Sequence, residues 1–576
     1  MQKKQTILVV ASLLLVVVLS VTLAYFTAQI IGKGKDVLVT SADLKIIFTD
    51  TDGNIEGNGI TPGWSNSKTF TVKNESNGTY KYDIIIKDLV NTFKTYKYLQ
   101  YKIISTDGGY NMTEYSYLPK SSTKEDVVLA YEVSIDKGKT HTYIIEIKYV
   151  NDEYVDQSID MGQSLSGTIY IREFTKPTMK LTDKLMADNP TIGTRTTFTA
   201  FTVTNTKRLY KATEQIGTNP VKDVYYFAGD AKNNWVKFGK TKESSCTYKG
   251  KDVLFANMTN QTIKTPENET ECTSTNICDA GENRGYFVGL PESECTGMDG
   301  TKWITEKATW NGTSTKDIYW RIIRTNADGS IKLLYAGTSP DTEKAYIGTS
   351  AFNTTDNDPL YVGYKYGTTG SLENNRLNTN DSTIKTYVDN WYKNKLTAYT
   401  KYLSKDAVYC NDRNLASGET YSTTNGFDYA PYERIRNKQP TYNCTNMSDA
   451  FSVNNTSAKL DYPVGLMTID ELSYAGGQEG TKLTAPYAWY YTNVNGKSSY
   501  GSGAFWALSS NYVDGSNLSV WVVGGSAHPG GLDFNYVGNS IAVRPSVSLS
   551  SCNLISRGDG SPENPYEIYT GSGVCE

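Results

Sequence analysis

The chain is 576 residues long and carries eight cysteines, none of which precedes residue 246. They are Cys246, Cys272, Cys278, Cys295, Cys410, Cys444, Cys552 and Cys575. An even count with no CxxC pair reads as a set of disulfides rather than a zinc knuckle. A front part must therefore be held by its apolar core alone, while a rear part is also cross-linked. Eight cysteines permit about a hundred pairings. Nearness in sequence suggests Cys410 with Cys444 and Cys552 with Cys575.

The cysteine-free part reads as strands. Asp43–Thr49, Lys68–Asn74, Tyr80–Lys87, Asp126–Ile135, His141–Val150 and Ser164–Arg172 each carry β-branched or aromatic residues in period two. Turn signals such as Pro62-Gly63, Asn77-Gly78 and Lys137-Gly138 separate them. Regular strands with no long helix predict a β-sandwich over residues 38–175. Asp50, Asp52, Asn54 and Glu56 alternate like a calcium loop, but Ile55 and Thr61 stand where such a loop needs Gly and Glu.

A linker is expected over 176–204, and an α+β domain over 205–576 with a cysteine-bearing polar insertion at 240–317. Val224–Gly239 reads as a strand pair and Tyr319–Tyr335 as a hairpin turning at Asp328-Gly329. Ile384 to Leu403 has helical spacing, and Thr468 with Glu471 forms a capping box that Gly476-Gly477 ends. Short aromatic strands follow at Tyr487–Tyr491, Phe505–Leu508, Leu518–Val523 and Ile541–Leu549. Trp489, Tyr490, Tyr491, Trp506 and Trp521 are candidates to line a ligand surface, since flat aromatic faces bind sugars and peptides. Alternation places Trp489 and Tyr491 on one face and Tyr490 on the other. Arg321, Arg324 and Arg544 read as structural hydrogen-bonding residues.

Lys3 and Lys4 precede an apolar run that begins at Ile7 and continues to Ala24. This is the pattern of an export signal. Residues 1–28 are thus a signal peptide, cleaved between Ala24 and Tyr25, or an N-terminal membrane anchor long enough to cross a bilayer. The 57 basic and 61 acidic residues leave a charge of −4, which gives no reason to expect nucleic acid. His141 and His528 are far apart, and no phosphate-binding loop occurs. No catalytic residue, metal or cofactor is therefore expected.

Two resemblances sharpen this. Ala24-Tyr25-Phe26, the strand DLKIIFT, a Pro-Gly turn and KTFTVKNESNGTYKYDIII resemble the camelysin and TasA biofilm-matrix family over about residues 20–175. That implies a jelly-roll-like domain of a matrix or fibre protein, with Tyr25 to Thr40 as a strand that one subunit donates to the next. The ordered series VYYFAG, NNWVKFG, YWRIIRTNADGSIKLLY, CNDR, YPVGLMTIDELSYAGG, FWALSS, VWVV and AVRPSVSL resembles an uncharacterised C-type-lectin-like domain. That domain, of formylglycine-generating-enzyme-like fold, occurs in exported proteins of gut Firmicutes and wall-less relatives. This chain has no cysteine between Cys444 and Cys552 and no lectin calcium motif, so neither chemistry carries over. The expectation is a non-catalytic cell-surface protein whose C-terminal domain recognises a glycan or protein. The alternatives are a self-assembling matrix or fibre subunit and an enzyme of the formylglycine-generating-enzyme-like fold.

Overall fold

Alternation of buried and exposed residues along each early strand dictates the architecture of the first part. In the computed structural model, the described residues are 26–575 apart from 33–36, 42–43, 51–54, 96, 153–155, 202–203, 205–207, 249–250, 254, 258–261, 265–308, 481–482, 516 and 527. Side chains are described from residue 60 on, leaving out 248–308. The export segment, the Ala24–Tyr25 junction, Cys272, Cys278 and Cys295 lie outside the described residues. The chain divides into two units, 1–176 and 177–576.

Unit 1 contains β1 (Phe26–Gly32), β2 (Val37–Ser41), β3 (Leu44–Asp50), β4 (Ile55–Ile60), β5 (Ser65–Asn74), β6 (Tyr80–Asn91), β7 (Leu99–Ser105), β8 (Ser116–Tyr117), β9 (Ser121–Ile135), β10 (Thr140–Tyr149) and β11 (Ser164–Glu173). They form two sheets, ordered β4-β1-β11-β6-β9 and β2-β3-β5-β10-β7-β8. In β10, His141, Tyr143, Ile145, Ile147 and Tyr149 are buried, and β5 buries Phe70 and Val72. Both sheets contribute to one apolar core. A polar seam crosses it: the Tyr82 hydroxyl lies 2.6 Å from that of Tyr143 and 2.9 Å from His141 Nδ1. The Tyr110 N–H donates to the Tyr143 hydroxyl. With a neutral His141 accepting at Nδ1, every member of this chain is satisfied.

Unit 2 starts earlier than expected. Residues 176–204 are not a linker throughout: α1 (Leu181–Asp188) buries Leu181 and Leu185, which share one helical face, and β12 (Thr191–Thr194) pairs in parallel with β13 (Arg208–Glu214). The main sheet continues through β14 (Lys222–Tyr226), β15 (Trp235–Tyr248), β16 (Thr309–Thr325) and β17 (Ile331–Tyr335). The expected Val224–Gly239 pair is corrected as well. Its strands are β14 and β15, and β16 lies between them in the sheet. The two ends of the 240–317 insertion, 240–248 and 309–317, form the far end of the β15–β16 ribbon, where Lys240 pairs with Asp317 and Thr247 with Thr309.

α2 (Thr383–Lys395) is capped by Ser382, and a 3-10 turn continues over Thr397–Tyr402. α3 (Ala430–Arg436) precedes β18 (Val464–Leu466) and α4 (Ile469–Ala475), the latter opened by the Thr468–Glu471 capping box and ended by a left-handed Gly476. β19 (Phe505–Asp514), β20 (Asn517–Val523) and β21 (Leu532–Tyr536) build a second sheet, with β21 at its edge. Cys410 is joined to Cys444 and Cys552 to Cys575, and no free cysteine occurs among the described residues. Cys246 is disulfide-bonded as well. The fold as a whole is β-rich and built of several sheets.

Candidate functional site

The five aromatic residues expected at a ligand surface are core instead. Trp489, Tyr490, Tyr491, Trp506 and Trp521 are all at most 4% exposed. Tyr487–Tyr491 contains no strand and turns at Trp489–Tyr491, so its two-faced reading fails. For three of them the physical reason is hydrogen bonding: Trp489 Nε1 donates to Phe227 O, Trp506 Nε1 to Ser350 O and the Tyr490 hydroxyl to Gly530 O. Polar tips that find backbone carbonyls let large rings enter the interior at little cost.

A different aromatic set reaches the surface. Period two along β21 puts Phe534 and Tyr536 on one face, at 38% and 42% exposure. Phe534 stands opposite Trp521 in the β20–β21 register. Tyr512 of β19 packs edge-on against Phe534, with ring centroids 4.9 Å apart, and Tyr432 of α3 lies 5.9 Å from Tyr512. Tyr432 also sits 6.2 Å from Trp521, whose buried Nε1 has no hydrogen-bond partner. The result is a platform of Tyr432, Tyr512, Phe534 and Tyr536 over a buried indole. Arg436 stacks on Tyr432 at 5.1 Å and pairs with Glu479 at 3.5 Å, giving the platform a polar rim. Burial, with Tyr536 and Asp514 adding to it, pushes the Tyr512 phenol up to about 12 and keeps it a neutral donor.

Beneath the main sheet lies a buried charge network. Arg324 binds Glu214 at 2.8 Å and Glu471 at 2.9 Å, and Lys332 binds the same Glu471 oxygen at 2.8 Å. Burial opposes ionisation of Glu471, yet Lys332 and Arg324 hold its carboxyl below the ordinary value. Arg321 donates to Asn234 Oδ1 and Ala231 O, and Arg544 to Tyr490 O and Tyr335 O. All three arginines are thus tied into the framework, away from solvent. Among the described residues no helix is long and apolar enough to cross a membrane.

The platform escaped sequence reading because its rings come from three separated segments. The local signal was the Leu532, Phe534, Tyr536 alternation, which follows two glycines and precedes a polar loop. No protein-family model and no curated protein matches the chain.

Proposed function

We propose that this is an exported, non-catalytic recognition protein whose C-terminal unit binds a glycan through Tyr432, Tyr512, Phe534 and Tyr536. It is released after Ala24 or held at the membrane by its uncleaved N-terminal segment. The observation that carries the reading is a pair of exposed rings on an edge strand, backed by a buried tryptophan and rimmed by an Arg–Glu pair. Sugar C–H faces stack on such rings, and the rim supplies hydrogen bonds to hydroxyls. Disulfides support an oxidising compartment. On this reading unit 1 is the jelly-roll-like sandwich of matrix type, and unit 2 is the C-type-lectin-like domain.

The fibre alternative requires Tyr25 to Thr40 to leave their own chain. Here β1 pairs with β4 and β11, and β2 with β3, which supports recognition over strand donation. A glycan array probed with the chain beginning at Tyr25 tests the proposal. Saturable binding to a carbohydrate class, lost in Phe534→Ala, is expected. Retained binding in that variant would refute the assigned surface, and fibres in electron micrographs would favour the structural reading.

A further inference from the structure

The faces of the platform rings attract positive charge, and one cation already lies against them. The Arg436 guanidinium stacks on Tyr432 at 5.1 Å, donates to the Tyr432 hydroxyl and pairs with Glu479 at 3.5 Å. Two carboxylates beside Tyr512 are left without such a partner. The short strand Phe427–Asp428 pairs antiparallel with β19 and sets Asp428 opposite Tyr512, so the two side chains share a face. Asp514 follows Tyr512 by two residues on β19, and its charge acts on the Tyr512 phenol. Both carboxylates reach solvent, and neither makes a hydrogen bond or an ion pair among the described residues. Burial and the Glu419 carboxylate raise the Asp428 pKa, against the pull of Arg436. A ligand that brings an ammonium to this face meets ring faces and unpaired carboxylates together, whereas an acidic ligand is repelled.

The edge of β21 favours a saccharide over a peptide as the bearer of that charge. A peptide would add as a further strand through the outward N–H groups of the edge. Those groups are taken: the Leu532 N–H donates to Gln478 O, the Phe534 N–H to Asp533 Oδ1 and the Tyr536 N–H to Asn535 Oδ1. The edge is thus guarded against strand pairing, while the ring face beside it stays open.

We propose that the glycan bound at the platform is cationic, an oligosaccharide of amino sugars with free amines, one ammonium of which sits against Asp428 and Asp514 beside Tyr512. This rests on the platform reading above, and the test separates the two. The chain beginning at Tyr25 is titrated calorimetrically with a glucosamine tetrasaccharide and with its fully N-acetylated counterpart. The titration is run at about pH 6, below the ordinary range of amines. Saturable binding of the free amine is expected, roughly tenfold tighter than that of the acetylated sugar. Asp428→Asn/Asp514→Asn, with an unchanged circular dichroism spectrum, should bind both sugars alike. Should that double variant not fold, Asp514→Asn alone, at an exposed position, should weaken the free amine about threefold and leave the acetylated sugar unaffected. Phe534→Ala should weaken both sugars. Equal affinity for the two sugars, no binding of the free amine, or an unchanged preference in the carboxylate variants overturns the inference. The platform reading then stands on the array ligand and its loss in Phe534→Ala. Full binding of the free amine by Phe534→Ala would instead refute the platform, and the inference with it.

Discussion

The two units reach stability by different routes. Unit 1 has no cysteine and fills its interior from alternating Ile, Val, Leu, Phe and Tyr of two sheets. Unit 2 buries whole cations, among them Arg321, Arg324, Lys332, Arg413 and Arg544, and adds covalent cross-links. A buried charge contributes only while its partners are in place, because removing one strands the other in low dielectric. Unit 2 should therefore be the more brittle towards single substitutions. Apolar alternation spreads its stability over many contacts.

The largest expected effect follows from Glu471, which serves both Arg324 and Lys332 and also closes the α4 capping box. Glu471→Ala should destabilise unit 2 by about 3–5 kcal/mol. Urea unfolding followed by tryptophan fluorescence reads this directly, since Trp64 alone of the nine tryptophans lies in unit 1. An unchanged fluorescence midpoint would break the contrast.

Next is the Cys552–Cys575 bridge, with a sequence separation of 23. Replacing both by Ser should cost unit 2 about 3 kcal/mol through the freed loop. Amide exchange in the β5 and β10 peptides of unit 1 should stay unchanged.

Thr468→Ala should cost about 1 kcal/mol, the usual value of a lost N-cap. It removes the hydroxyl that accepts from the Glu471 N–H while leaving both cations paired. A loss as large as that of Glu471→Ala would mean that the cap, not the charge network, dominates.

The smallest effect separates the units by sign. Burial lowers the His141 pKa from its ordinary 6.5, against the pull of Asp107 and Asp136. The folded state then binds fewer protons than the unfolded one. Its stability is fully present above pH 6.5 and is lost as pH falls below it. In unit 2, burial pushes Asp389 up to about 6 despite Lys385, so its contribution is present at low pH and is lost as pH rises through 6. Moving from pH 7.5 to 5.5 should weaken protection in Thr140–Tyr149 and slightly strengthen it in Thr383–Lys395. Hydrogen exchange corrected for intrinsic rates checks both, and the unit 1 response should vanish in His141→Gln.

The same contrast governs what the amino-acid sequence discloses. In unit 1, strands such as β5 and β10 bury one face each, so period two places β10 to within one residue at either end and finds β5 from its fourth residue on. In unit 2, local signals find α2 through its helical spacing and α4 through the Thr468 cap, because periodicity and caps are local. Pairing is not local there: β16 enters between β14 and β15 from a distant segment, and alternation in Val224–Gly239 carries no trace of that. Aromatic density misleads for a related reason. Trp489 and Tyr490 are at home in the interior once Phe227 and Gly530 supply carbonyls, and those partners are distant in the chain. The exposed platform is equally non-local, with Tyr432, Tyr512 and Phe534 meeting only after α3 and β19–β21 pack.

On the proposed function, recognition belongs to unit 2 and to its exposed rings. The most direct test compares binding curves for the best glycan from the array, using the chain beginning at Tyr25, the double variant Phe534→Ala/Tyr536→Ala and the unit 1 variant Ile144→Ala. Ile144 is matched for exposure at 38%, so it controls for loss of any apolar surface. At about 1 kcal/mol per stacked ring, the double variant should bind roughly 30-fold more weakly. Ile144→Ala should bind as the parent does. Equal binding by all three, or loss only in Ile144→Ala, would place recognition away from these rings.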